Sequence, residues 1–335
     1  MDISRRPRKR CIMDMDDLAK RVVAGERRAL AQAITLVESG RADHRDSAAR
    51  LLAALPQDRQ ALRIGLSGTP GVGKSTFIES FGMMLTGQGK RVAVLAVDPS
   101  SSRSGGSILG DKTRMDLLSR DPKAFIRPSP SQTHLGGVAR RTREAVRLCE
   151  AAGYDVVLIE TVGVGQSETV VAEMSDVFLL LLAPAGGDEL QGVKRGIMEM
   201  ADVIVVNKAD GDLKAAASRT CADYAGALRL LRKREQDPAG FPKALMVSAL
   251  QEQGLDETWE ALLELVNWRR ENGYWDQTRA TQARYWFLED VKQRLLAQLE
   301  TTQARKALRD LSDQVAEGTV DPAVAAQTFV EKLGH

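Results

Sequence analysis

The octapeptide Gly68-Thr69-Pro70-Gly71-Val72-Gly73-Lys74-Ser75 narrows the folds open to this chain more than any other feature. It is a complete G-x-x-x-x-G-K-[ST] sequence, preceded by the apolar run 63–67 and followed by a helical segment from Thr76. Between a strand and a helix, glycines let the backbone curl its N–H groups around a β-phosphate, and the helix presents its amino end to the anion. Residues Gly68 to Thr76 therefore read as a phosphate cradle. Lys74 would reach the β- and γ-phosphates, and the Ser75 hydroxyl would bind Mg²⁺.

The surrounding pattern agrees. Short apolar runs at 63–67, 91–97, 124–126, 155–159, 176–182, 203–206 and 244–247 alternate with longer helical segments, the grammar of a sheet covered by helices on both faces. The expected fold class is α/β, with a P-loop, a doubly wound and mostly parallel sheet, N-terminal helices and a C-terminal helical dimerisation arm. The expected divisions are 1–58 for the N-terminal helical extension, 59–272 for the nucleotide domain and 273–335 for the arm. Apolar residues at helical spacing, Leu18, Val22, Val23, Leu30, Ile34 and Val37 among them, mark the extension. All four tryptophans fall between 259 and 286; with Tyr274, Tyr285 and Phe287 they have two readings, packing onto the α/β domain or an oligomer interface.

The base is read from Asn207-Lys208-Ala209-Asp210, which follows the run 203–206. The Asp210 carboxylate can accept from guanine N1–H and the 2-amino group, whereas adenine has no 2-amino group and an acceptor at N1. Asn207 braces the loop and the stem of Lys208 covers the base. An N-K-x-D tetrapeptide is weak alone and becomes specific downstream of a phosphate loop. Ser248, Ala249 and Leu250, after the last run, are expected to offer backbone N–H groups to guanine O6.

Two carboxylates, Asp98 and Glu160, sit at the ends of runs beside the phosphate loop. Ligands of open α/β sheets bind at the carboxyl ends of strands, and magnesium prefers hard oxygen ligands, so Ser75, Asp98 and Glu160 are candidate metal residues. Asp111 joins them at the end of a Ser- and Gly-rich segment, 99–111, whose composition suits a loop that orders on γ-phosphate and Mg²⁺. The stretch from Glu160 to Gln166 resembles the D-x-x-G switch of GTPases with Glu in place of Asp, and Gln166 falls later than a Ras-like catalytic glutamine. Lys74, Asp98, Glu160 and Gln166 are the candidate catalytic residues.

Taken together, 68–75, the segment from Val97 to Met115, 160–168 and Gly187-Asp188-Glu189-Leu190-Gln191-Gly192 resemble the MeaB/ArgK family, the methylmalonyl-CoA mutase-associated GTPases of the SIMIBI class. The resemblance covers most of the chain. It implies a homodimeric, cytoplasmic GTPase with GTP or GDP and Mg²⁺ bound, in which Asp98, Asp111 and Glu160 join Ser75 at the metal and 184–192 is a further switch. It also implies a chaperone role toward an adenosylcobalamin-dependent acyl-CoA mutase, gating cofactor loading and protecting the enzyme, with slow intrinsic hydrolysis stimulated by that mutase. Cobalamin itself is expected on the partner, because His44 and His134 lack the D-x-H-x-x-G context that holds its lower ligand.

Composition removes other classes. Forty-seven Lys and Arg against 45 Asp and Glu leave a net charge of +2, too balanced for the field a nucleic-acid or membrane-surface binder uses. The longest apolar run, 177–183, is far short of the roughly 20 residues of a membrane helix. Cys11, Cys149 and Cys221 are scattered, as in reduced cytosolic proteins, and with three histidines offer poor material for a nickel metallochaperone. That reading, and a P-loop kinase, are the alternatives to a mutase-linked GTPase.

Overall fold

The runs that lack alternation, VAVLAV at 92–97 and VFLLLL at 177–182, are buried along their whole length or nearly so, as strands covered on both faces must be. A computed structural model describes residues 14–97, 115–128, 135–161, 167–184, 195–231 and 233–333. In it the seven runs form β1 (Leu62–Gly68), β2 (Val92–Val97), β3 (Ala124–Arg127), β4 (Val156–Thr161), β5 (Val177–Leu182), β6 (Val203–Val206) and β7 (Lys243–Met246). The order is β3-β2-β4-β1-β5-β6-β7, and every neighbouring pair is parallel, so the sheet is wholly rather than mostly parallel.

Helix α4 (Lys74–Gly87) connects β1 to β2; α5 (Asp116–Arg120) and α6 (Leu135–Ala151) flank β3; α7 (Ser167–Met174), α8 (Arg195–Met200), α9 (Lys214–Arg229) and α10 (Leu255–Glu271) follow β4 to β7. Ahead of the sheet lie α1 (Met15–Val23), α2 (Arg27–Glu38) and α3 (Ala42–Ala53), whose residues Leu18, Val22, Leu30, Ile34 and Leu51 are buried. Beyond it run α11 (Tyr274–Gln298), α12 (Thr302–Ala316) and α13 (Pro322–Leu333).

The chain divides into two compact units, Met1–Arg279 and Ala280–His335. In the first, Phe77 and Phe81 of α4 stack with centroids 5.2 Å apart, and Phe81 meets Trp259 of α10 edge-on at 6.1 Å, gluing both helices to one core. Trp275 is also buried there, between the guanidinium groups of Arg270 and Arg279. In the second unit Tyr285, Phe287, Leu288, Leu295 and Leu296 are exposed. The aromatic cluster thus splits: Trp259 and Trp275 are buried in the first unit, while Tyr285 and Phe287 of the second are exposed.

At the amino edge of the sheet, Asp176 and Asp202 each precede a strand and accept a backbone N–H of another chain segment, from Arg63 and Phe178, both at 2.8 Å. Arg279 reaches Asp176 at 2.7 Å, and Arg269 bridges Asp202 at 2.6 Å and Asp237 at 2.7 Å. Burial alone would lower the pKa of Arg269, but the two carboxylates raise it above that of a free guanidinium. This buried lattice fixes the starts of β5 and β6, which leaves the opposite edge, where β1, β4 and β6 end, free for loops that bind a ligand.

Candidate nucleotide site

The phosphate loop is shaped by two close approaches. A Cβ on Gly68 would lie 2.4 Å from the Leu181 carbonyl oxygen of the adjoining strand β5, so only glycine allows β1 to end there. Gly73 adopts φ 86°, and a Cβ on it would meet Asn207 Nδ2 at 2.7 Å. Gly73 is the N-cap of α4 and lends no side chain to the helix, so the first N–H groups of α4 are left for an anion. Ser75 and Lys74, half-buried, open that helix; Thr69, Pro70, Gly71 and Thr76 are exposed, and Val72 is buried beneath the loop.

Lys74 Nζ donates to the Gly68 carbonyl at 2.5 Å, across the mouth of its own loop. Burial pulls its pKa below that of a free lysine, while the charges of Glu160 and Glu168 act in the opposite sense. Glu160 is 5% exposed and Glu168 is 2% exposed, so Lys74 faces two buried carboxylates.

Glu160 lies inside β4 rather than after it. The strand runs two residues further than its apolar run, because both neighbours continue the ladder there: Leu66 of β1 and Ala96 of β2 pair with Glu160. One residue on, Thr161 donates to Ser67 Oγ at 3.1 Å, tying β4 to the residue before the phosphate loop. Asp98, Asp111 and Gln166 lie outside the described residues, as do 185–194 of the second expected switch. Among the described residues no group of three or more His, Cys, Asp or Glu is arranged to hold a metal. The described donors, the Ser75 hydroxyl and the Glu160 carboxylate, are hard oxygens, a set that fits Mg²⁺ and offers nothing to a soft metal.

Asn207 joins the two motifs. It follows β6 directly, is 2% exposed, and donates from Nδ2 to the Val72 carbonyl at 3.0 Å, while its Oδ1 accepts the Ala249 N–H at 3.0 Å. Lys208 follows at φ 60°, a left-handed conformation costly for a residue with a Cβ, and Ala209 N–H returns to the Val247 carbonyl at 3.0 Å. That turn brings Asp210 against Ser248, whose hydroxyl donates to Asp210 Oδ2. The Ser248 N–H is taken by the Gln253 carbonyl and the Ala249 N–H by Asn207, so of the three amides expected to meet a base, Leu250's alone makes no hydrogen bond among the described residues. Leu250 is 78% exposed.

Two residues of the site were not anticipated. Ser80, on α4, donates to the Ala249 carbonyl at 2.7 Å and tethers the last loop to the phosphate-loop helix. Glu168 belongs to a stretch with a recognisable pattern, but an acid in the first turn of a helix ordinarily faces solvent, and its burial beside Lys74 has no signature in composition.

The family model of methylmalonyl Co-A mutase-associated GTPase MeaB matches residues 30–304. The chain belongs to this family. GTPase ArgK of Escherichia coli is 50% identical over 281 residues, 84% of either chain. The mouse protein named methylmalonic aciduria type A homolog, mitochondrial, is 48% identical over 329 residues, covering 95% of this chain and 79% of the relative. A crystal structure of an LAO/AO transport system kinase superposes with a TM-score of 0.72 at 38% identity, over 96% of this chain and 98% of the other. The MeaB-family chain described above is thus a P-loop GTPase in fold and relationship. In the described part, no helix is long and apolar enough to cross a membrane.

Proposed function

We propose that this MeaB-family GTPase binds GTP between the phosphate loop and the Asn207–Asp210 turn, hydrolyses it with Mg²⁺, and uses the cycle to serve an adenosylcobalamin-dependent acyl-CoA mutase. The observation that carries the nucleotide reading is the bond from Asn207 to Val72, which builds the base loop and the phosphate loop into one rigid unit. The family name, and the names of relatives linked to methylmalonic aciduria, support the mutase.

On nucleotide binding, the amides that open α4 take the β-phosphate, and Lys74 leaves the Gly68 carbonyl for the β- and γ-oxygens. Asp210 accepts from guanine N1–H and the 2-amino group. ATP would leave that carboxylate desolvated and unpaired, which is how the site discriminates. Ser75 and Glu160, with Asp98 and Asp111, would hold Mg²⁺, which neutralises charge developing on the phosphates. The two buried carboxylates near Lys74 oppose the effect of burial on its ammonium. Gln166 would act as a switch residue.

The other parts of the reading are the homodimer and the division of labour. The exposed face of Tyr285, Phe287, Leu288, Leu295 and Leu296 supports a dimerisation arm. The arm is assigned to 273–335, the nucleotide domain to 59–272 and the helical extension to 1–58. The protein works in the cytoplasm without binding cobalamin, nucleic acid or membrane. Intrinsic turnover is slow, and the mutase stimulates it, gaining cofactor gating and protection in return.

The test is GTP turnover by the purified chain with and without the mutase of its source organism. A rise of tenfold or more on adding the mutase, absent in K74A, supports the coupling. An unchanged rate overturns it and leaves a GTPase without this partner.

A further inference from the structure

A serine in the interior of a helix ordinarily faces solvent or returns its hydroxyl to the carbonyl one turn earlier. Ser80 of α4 does neither. Half-buried on a helix whose Phe77, Ile78 and Phe81 are fully buried, it donates at 2.7 Å to the carbonyl of Ala249, 169 positions later in the chain.

The loop that receives this bond is closely held. The Ser248 N–H donates to the Gln253 carbonyl and the Gln253 N–H to the Ser248 carbonyl, both at 3.0 Å. The Ala249 N–H goes to Asn207 Oδ1 at 3.0 Å, and the Gln251 N–H to Ser248 Oγ at 3.1 Å. Along 248–251, the Leu250 N–H alone is left without a hydrogen bond among the described residues.

That N–H and the carbonyl that Ser80 holds belong to one peptide group. Among the described residues the cis peptide bond is Phe241–Pro242, so the group between Ala249 and Leu250 is trans and planar, with its C=O and N–H directed oppositely. Holding the carbonyl toward α4 therefore holds the N–H away from α4. A half-turn of the peptide plane would exchange the two and set an acceptor where a donor stands. Ala249 is buried and Leu250 is exposed, which puts this peptide at the boundary between core and solvent.

We propose that Ser80 is a positioning residue for guanine recognition: by fixing the peptide plane between Ala249 and Leu250 it aims the Leu250 N–H at the 6-oxo group of the base. The inference rests on the guanine-nucleotide reading above and divides recognition in two. Asp210, held by Ser248, senses the donors at N1 and the 2-amino group; the 249–250 peptide, held by Ser80, senses the acceptor at C6. Ser80 acts through that peptide and not by touching the nucleotide.

Analogues separate the two halves. Inosine diphosphate lacks the 2-amino group, whereas 6-thio-GDP keeps N1–H and the 2-amino group and replaces the oxygen with sulfur, a weaker acceptor. Each is competed against fluorescent GDP on the full chain with Mg²⁺ at neutral pH, and thermal melts confirm folding. The wild type should prefer GDP to 6-thio-GDP by about threefold to tenfold, and in S80A that preference should fall to within about twofold. The preference of S80A for GDP over inosine diphosphate should match that of the wild type. S80T keeps a hydroxyl and should restore the lost discrimination; L250P deletes the N–H itself and should lose it as S80A does. Should S80A not fold, S80C, of similar size with a weak donor, gives the same comparison.

Equal weakening of all three nucleotides in S80A, an S80A or L250P that still discriminates against 6-thio-GDP, an S80T that does not, or a wild type without that discrimination would each overturn the role of Ser80 and leave a guanine-binding chain. A wild type that binds ADP as tightly as GDP would instead overturn the guanine reading itself.

Discussion

Asn207 Nδ2 lies 3.0 Å from the carbonyl oxygen of Val72, a residue 135 positions earlier in the chain. One side chain therefore fixes the distance between the loop that meets phosphates and the turn that meets the base. Replacing it tests that role. N207A leaves the Ala249 N–H buried without its acceptor and removes the brace on the Val72 carbonyl. It should cost about 1–3 kcal/mol of stability and lower GDP affinity by at least about tenfold, measured by thermal melts and by fluorescent-GDP titration. A variant that melts lower yet binds GDP as well as the wild type would show that the brace is structural only.

Asp210 gives a sharper test, because its chemistry can be inverted. D210N exchanges an acceptor for a donor where guanine presents donors, and xanthine carries a carbonyl in place of the 2-amino group. The variant should bind guanine nucleotides about 10²-fold or more weakly and gain xanthosine nucleotides, read from competition binding. Ser248, which donates to Asp210, would then face an amide, and S248A should affect both bases alike.

The magnesium reading predicts that chelation with EDTA abolishes GTP turnover and weakens nucleotide binding, with turnover restored by Mg²⁺ and not by Ni²⁺. E160Q, which keeps the shape of a buried side chain and loses its charge, should cut kcat by about 10²-fold or more while the chain stays folded. E168Q should instead act through Lys74: its ammonium loses one of two opposing charges, so binding of the γ-phosphate changes more than binding of GDP.

At the other edge of the sheet, R269A removes one of the two cations that Asp202 and Asp237 share, leaving both carboxylates to Arg234, and about 1–3 kcal/mol of stability should go with it. Urea denaturation measures this. Turnover per folded molecule should be unaltered, since the lattice lies opposite the loops.

Cys149 is fully buried on α6, and burial raises its thiol pKa well above that of a free cysteine. In the native chain it should resist alkylation at pH 8 while the half-buried Cys221 reacts faster, with mass spectrometry after limited labelling assigning each site.

The strands were legible because burial on both faces forces continuous apolar runs, and each boundary fell within two residues of its run. The largest difference, at β4, shows what periodicity misses: ladder pairing from β1 and β2 carries the strand through Glu160, a residue that apolar patterning marks as an end. The phosphate loop and the Asn207–Asp210 turn were legible because each needs particular residue types at fixed spacing. Contacts between distant segments were not. Nothing local says that Asn207 braces Val72, that Ser80 ties α4 to Ala249, or that the amides of Ser248 and Ala249 are already spoken for. The aromatic residues near the end of the chain were similarly ambiguous until packing separated Trp259 and Trp275 from Tyr285 and Phe287.

The most direct measurement follows the γ-phosphate. With Mg²⁺ and γ-labelled GTP or ATP in parallel, the chain should release inorganic phosphate from GTP at least about 10²-fold faster than from ATP, with no label on any protein or small-molecule acceptor and no release by K74A. Equal use of ATP, or transfer of the label to an acceptor in place of water, would contradict a guanine-specific hydrolase and favour a kinase.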